Sequence, residues 1–218
     1  MASTPRSGII RQVDSSGTID APCYTAYGHF GNGSPKYTRR PYMENVWPLP
    51  GLRVSVPQGM DHPGSFGAVR KHDVHTGVDL YAPVGQKVVA IEDGVIVAID
   101  PEFTGGEDTP KGADGEPIWH TTAAIMVEGV SGVILYGEVR VASWLFQGAL
   151  VNAGQELGTV VQVLKEKPDG VFKNPANSPS MLHLEFYEHG VTKAVWWQRG
   201  EEKPDGLLDP TCLLLEAS

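Results

Sequence analysis

The sequence predicts an all-β fold, and three features carry that prediction. The 26 glycines and 17 prolines make up about a fifth of the 218 residues and interrupt the chain at intervals too short for helices of ordinary length. Between them lie short runs rich in β-branched and aromatic residues. Turn-forming residues separate several of these runs.

Strands are expected at 52–56, 87–91, 95–99, 122–127, 133–136, 157–163, 181–187 and 191–197. Asp93-Gly94 predicts a tight hairpin between the second and third, because a two-residue turn needs a positive φ that glycine adopts without strain. Glu188-His189-Gly190 is a similar, weaker turn signal before the last. At 41% hydrophobic residues the chain can bury one sizeable core, so a main domain at 51–218 is expected. Residues 1–50 are rich in Pro, Gly, Ser and Tyr without sustained period, and read as an irregular N-terminal arm. Residues 101–119, containing Gly105-Gly106-Glu107-Asp108, read as an acidic insertion, either kept for function or tolerated as a mobile excursion. A third connection spans 165–180.

Charge and hydropathy exclude several classes. With 17 Lys plus Arg against 26 Asp plus Glu, and a formal charge of −9, there is no basic footprint for nucleic acid. No apolar run approaches the roughly 20 residues of a membrane-spanning helix. Met1 to Gly8 lack the apolar stretch of a secretory signal, so synthesis in the cytoplasm is expected. Cys23 and Cys212 have neither the number nor the spacing of a disulfide framework or a zinc ribbon.

The chemistry begins at His75-Thr76-Gly77-Val78-Asp79. A fully extended chain would span ~13 Å between the ends of this segment, too far for both side chains to bind one ion at ~2 Å. The chain must bend for a shared site, and Gly77 is placed to let it. By itself the pair is weak evidence for a metal site, and a His and an Asp that merely cap a turn are the more ordinary reading.

The surrounding sequence adds Gly64-Ser65-Phe66-Gly67, Ala82-Pro83-Val84-Gly85, Val88-Val89-Ala90 and Asp93-Gly94-Val95-Ile96. Later come Val151-Asn152-Ala153-Gly154-Gln155-Glu156-Leu157-Gly158, Leu182-His183-Leu184-Glu185-Phe186 and Leu208-Asp209-Pro210. This ordered set, from about residue 57 to 215, resembles the lysostaphin-like (LytM-type) zinc endopeptidases that cut peptide cross-bridges in bacterial peptidoglycan. The resemblance implies an antiparallel β-sheet groove of the barrel-sandwich hybrid type with long loops. It also implies Zn²⁺ held by His75, Asp79 and His183, with a fourth position left for water. Two imidazoles and a carboxylate suit zinc. The ordinary alternative for His183 is a histidine buried in a core strand.

Two departures from the family pattern bear on activity. Its LYxHL segment corresponds to Leu135-Tyr136-Gly137-Glu138-Val139, and its HLHFE to Met181-Leu182-His183-Leu184-Glu185, so two histidines are replaced by Glu138 and Met181. A thioether neither donates a hydrogen bond nor carries a proton. One outcome keeps catalysis, with Glu138 as general base and a second donor from His120, Tyr136 or Arg70. The other is a catalytically impaired homologue whose zinc site is structural or binds a ligand, with Glu138 closing the coordination. Such a protein would act as a peptidoglycan-binding module. Glu185, two residues from His183, either holds that histidine by its second nitrogen or faces solvent.

Other features weigh less. Of Trp196-Trp197, strand alternation would turn one inward and leave the other as an aromatic platform. His62 and His72 lie near the motif and His29 in a Gly-rich turn. A biotinyl or lipoyl carrier shares the Ala-Pro and Gly-Gln motifs, but no hairpin here presents the lysine it needs. The expected partner is therefore a wall peptide. A wall-directed fold without its own export signal also fits a bacteriophage product assembled with other virion proteins.

Overall fold

The structure is a computed structural model and describes residues 45–71, 73–105, 111, 115–165 and 176–218. The predicted arm up to residue 44, with Cys23 and His29, lies outside the described residues. So do His72, much of the acidic insertion and most of the 165–180 connection.

The fold is nearly all β. Among the described residues nine strands form one antiparallel sheet: β1 (Val78–Tyr81), β2 (Lys87–Val89), β3 (Gly94–Thr104), β4 (Thr122–Gly129), β5 (Val133–Val141), β6 (Leu150–Val151), β7 (Glu156–Val160), β8 (Met181–Tyr187) and β9 (Leu207–Leu208). The main path runs β1-β8-β5-β4-β3-β6, with β7 joining β5 to β2 and β9 pairing β8.

Strand β8 is the pivot, because every residue in it is buried and its two faces do different work. Leu182, Leu184 and Phe186 enter the main core with Val78, Leu80, Ile134 and Tyr136. Burying each such side chain is worth roughly 1.5–3 kcal/mol, which fixes the β8 backbone between its neighbours. By alternation Met181, His183, Glu185 and Tyr187 take the opposite face, where Tyr187 joins a second apolar cluster with Leu135 and Met126. Register then sets the site: Asp79 of β1 and Gly137 of β5 lie on either side of His183.

Several sequence expectations are corrected. Residues 52–56 alternate between half-buried and exposed as a strand would, yet they belong to no strand. Alternation without a neighbouring backbone to bond is not a strand. Residues 191–197 likewise run as a loop, in which Trp197 packs against Phe66 at 5.9 Å between ring centres and Trp196 is 59% exposed. Asp93-Gly94 is not a hairpin turn, since β2 pairs with β7 while β3 pairs with β4 and β6. Gly94 is required for a different reason: a Cβ there would lie 2.6 Å from the Glu128 carbonyl oxygen. The strand expected at 133–136 continues to Val141, and the described residues include one short helix, α1 (Thr211–Glu216), that buries Leu213 and Leu214.

Candidate metal centre

Three polar side chains converge between β8 and the segment leading into β1. The Nε2 of His75 lies 3.1 Å from the Nδ1 of His183 and 3.1 Å from the Oδ1 of Asp79, and the last two atoms are 2.9 Å apart. All three residues are buried. The backbone bends at Gly77, but the need for glycine is one of space. A Cβ there would collide with the Leu184 carbonyl and come within 2.9 Å of the His183 ring.

The hydrogen atoms of the two imidazoles are assigned by their outward partners. His75 Nδ1 is 2.8 Å from the carbonyl oxygen of Ser65, which can only accept, so this nitrogen carries the proton and Nε2 presents a lone pair. His183 Nε2 donates to Glu185 Oε1 at 3.1 Å, leaving Nδ1 as the inward acceptor. Glu185 is itself fixed by the hydroxyls of Thr76 and, at 2.6 Å, Tyr187. With neutral rings, three acceptor atoms therefore face one another with no hydrogen among them. Only a cation or an added proton relieves that arrangement. Tetrahedral zinc ligands at about 2.0–2.2 Å from the ion stand roughly 3.3 Å from one another, so the present triangle needs to open by only a few tenths of an ångström. The donor set and its spacing fit a divalent metal ion.

The protonation energetics agree with that reading. Burial opposes charge on His183, but hydrogen bonds and the charges of Asp79 and Glu185 outweigh it and push the ring up to about 10. A proton thus takes the place of a cation when none is present. Burial lowers His75, while the cationic surroundings overcome burial to hold Asp79 well below the usual carboxylate range. Arg70 occupies the second oxygen of Asp79 at 2.5 Å and bonds the Pro63 carbonyl, so its guanidinium is already committed.

Glu138 stands apart from this satisfied set. It is the extra residue of a β-bulge: Gly137 pairs with Ala124 and Val139 with Ala123, leaving Glu138 unpaired between them. Its φ is +66°, a left-handed conformation uncommon for a residue with a Cβ. At the same point β5 exchanges its partner β8 for β7. The bulge also resets the alternation, so that Tyr136 and Val139 both enter the main core while Glu138 is influenced by the charges of His183, Asp79 and Arg70. The Glu138 side chain is only 8% exposed, and its Oε2 has no hydrogen-bond partner among the described residues. Burial pushes its carboxyl up to about 8.

The remaining sequence candidates divide sharply. Met181 is on the His183 face, opposite Tyr81 in register. Tyr136 is not a groove residue: it is fully buried, and its hydroxyl accepts the Ile91 N–H at 2.8 Å in the main core. Regular alternation with Ile134 places it there, and the bulge that follows turns Glu138, which would share that face on a regular strand, to the other side. His120 is exposed, and among the described residues it is its backbone that bonds the neighbouring segments. Glu185 does not face solvent but is buried against His183. His62 lies beside Tyr81, with its Nδ1 accepting the Gly64 N–H at 3.1 Å.

Sequence reasoning missed Ser65, Thr76, Tyr81, Phe103 and Tyr187. Phe103 covers the site, its ring centre 5.7 Å from that of His183, and fits because a Cβ on Gly137 would lie 2.6 Å from its ring. Burial, then the Asp79 charge, pushes the Tyr81 phenol up to about 12. The same-face rule applied to Asp79 and to His183 would have found Tyr81 and Tyr187.

No protein-family model and no curated protein matches the chain. Among solved structures it is similar to a putative peptidase M23 from Pseudomonas aeruginosa at 16% identity and a TM-score of 0.43, covering 85% of this chain and 54% of that one. It is also similar to Csd3 of Helicobacter pylori at 16% identity and a TM-score of 0.38, with 72% and 37% covered. A third is cbpa from L. salivarius REN, at 19% identity and a TM-score of 0.45, with 78% and 94% covered. The chain thus spans 37% to 54% of the length of the first two. Among the described residues, no helix is long and apolar enough to cross a membrane.

Proposed function

We propose that the protein is a zinc-dependent endopeptidase that hydrolyses peptide cross-bridges of bacterial peptidoglycan, with His75, Asp79 and His183 as ligands and Glu138 as general base. One observation carries the reading: three converging acceptor atoms with, on the neighbouring strand, a buried carboxylate oxygen that has no partner among the described residues. The ordered motifs from about residue 57 to 215 supply the substrate class.

When bound, zinc supplies Lewis-acid polarisation of the carbonyl and makes water more acidic. Ser65 and Glu185 hold the two imidazoles in the tautomers that present lone pairs inward. Glu138 accepts a proton from the water whose oxygen attacks the scissile carbonyl carbon. It then delivers that proton to the amide nitrogen as the C–N bond breaks. A carboxyl raised to about 8 is basic enough for this work, and a cation nearby would bring it down toward neutral pH. Burial in a strained, unpartnered state costs stability, and that cost is the mark of a functional position.

In the second reading Glu138 completes the ligand set and the metal is structural. Against it, the cluster of mutually close potential ligands among the described residues consists of His75, Asp79 and His183, without Glu138. We place 51–218 as the catalytic domain and residues 1–50 as its extension. The acidic balance of −9 suits a part fixed in a larger particle such as a virion better than a freely diffusing lysin on anionic walls.

Metal analysis paired with digestion of purified sacculi tests the reading. The parent should retain one zinc per chain and release peptides with new termini. Glu138→Gln should retain the metal and lose roughly 10²–10⁴ in rate. Turnover by Glu138→Gln equal to the parent's would eliminate the carboxylate base.

A further inference from the structure

Hydrolysis of an amide by this site needs a hydrogen-bond donor for the carbonyl oxygen, and the obvious sources are spent or absent. Met181 has no donor. Arg70 is committed to Asp79 and Pro63, Tyr136 is in the main core, and His120 is exposed with no side-chain bond toward the cluster among the described residues. His62 uses Nδ1 to accept the Gly64 N–H.

Tyr81 is different. It follows Asp79 by two residues on β1, so both side chains take the same face, and it lies opposite Met181. Its hydroxyl oxygen and the Asp79 Cβ are each 3.2 Å from the point a Cβ on Gly64 would occupy, so the two atoms flank the same small space and the hydroxyl is on the Asp79 side of the ring. Glycine at position 64 keeps that space open. Tyr81 is half-buried, and its hydroxyl has no hydrogen-bond partner among the described residues. Tyr81 also lines a cavity of about 500 Å³ with Pro83, Val84, Asn177, Pro179 and Ser180, a lining that includes none of His75, Asp79, His183 and Glu138. Tyr81 is thus the residue that links the cavity to the cluster, and a peptide seated in the cavity would meet the phenol first.

We propose that the Tyr81 hydroxyl contacts the substrate directly, donating its hydrogen to the carbonyl oxygen of the peptide bond under attack, and that the adjoining cavity holds the flanking peptide. The assignment rests on the endopeptidase reading above. It distributes the chemistry across the two strands that flank β8: the base comes from β5 and the carbonyl donor from β1. The donor moves no proton of its own, because the hydrogen bond strengthens as charge develops on oxygen and relaxes when the carbonyl re-forms.

Tyr81→Phe removes the hydroxyl and keeps the ring that lines the cavity. On soluble cross-linked muropeptides, the zinc-loaded variant should lose 10²- to 10³-fold in kcat, with KM within threefold and zinc content unchanged. A second measurement needs neither metal nor turnover. In chelated full-length protein, muropeptide should protect Tyr81 from hydroxyl-radical oxidation at least fivefold, as read by peptide mass spectrometry. An active parent with Tyr81→Phe turning over within threefold of it overturns the proposal. If the parent binds zinc without turning over, the endopeptidase reading fails and oxidation alone decides the contact: protection supports it, and equal oxidation with and without peptide overturns it.

Discussion

His183 and Glu138 sit on adjacent strands and are treated in opposite ways. His183 has a partner on each ring nitrogen, a ladder on both sides and an apolar underside of Leu182 and Leu184. Glu138 has a left-handed backbone, no register partner on β4 and a buried oxygen with no hydrogen-bond partner among the described residues. The difference separates two requirements. On the proposed roles, a ligand has to be held in one orientation before the ion arrives, whereas a base has to keep spare capacity for a proton, and its site is left unsatisfied at the expense of the fold.

The largest effect should come from breaking the satisfied half. His183→Ala removes one of three ligand atoms and leaves Asp79 and Glu185 without their shared partner. Zinc affinity should fall by at least about 10³-fold, from loss of one of three protein ligands. Thermal denaturation with added zinc checks this simply. The parent should gain stability with metal concentration as mass action requires, and His183→Ala should show no gain. A metal-dependent rise in the variant equal to the parent's would mean that the ion binds elsewhere.

The unsatisfied half is best read through pH in chelated protein. The Glu138 carboxyl, pushed by burial from 4.5 to about 8, stays protonated in the folded state where the unfolded chain has already ionised. Its contribution is thus present below the unfolded value and lost as pH rises through the folded one. Glu138→Gln removes that dependence. Relative to the parent, the variant should gain stability between pH 4.5 and 8, to a total on the order of 3 kcal/mol. Urea unfolding of both proteins at pH 5 and pH 8 measures it. A difference that does not grow with pH would mean that Glu138 is solvated.

Much of this contrast was beyond the sequence. The β class was legible from punctuation and alternation, and the strand Met181–Tyr187 has the bounds its pattern suggests. Residues 52–56 and 191–197 have strand-like composition without strand structure, because pairing is decided by what lies beside a segment. His75, Asp79 and His183 were nameable from motifs, yet their distances depend on β1 lying against β8. Tyr136 and Glu138 illustrate the limit most clearly. Period-two reasoning puts both in the core, and a single extra residue in the ladder leaves Tyr136 there and turns Glu138 out among the charges of the site.

A smaller effect should come from loosening the satisfied half without removing a ligand. Glu185 is buried and receives His183 Nε2–H, the Thr76 hydroxyl and the Tyr187 hydroxyl. Three donors converging on one carboxylate overcome burial and hold its proton affinity below the ordinary glutamate range. Glu185→Gln retains the shape but not the charge, and its amide nitrogen cannot accept from any of the three. One donor is then left facing another. His183 loses both its fixed orientation and the negative charge that makes Nδ1 a better electron donor. Zinc affinity, measured by competition with a chelator, should drop 10- to 100-fold while the sheet stays folded by circular dichroism. A drop under threefold would mean that the β8 backbone alone orients His183, and that the satisfied half of the site is more rigid than its hydrogen bonds require.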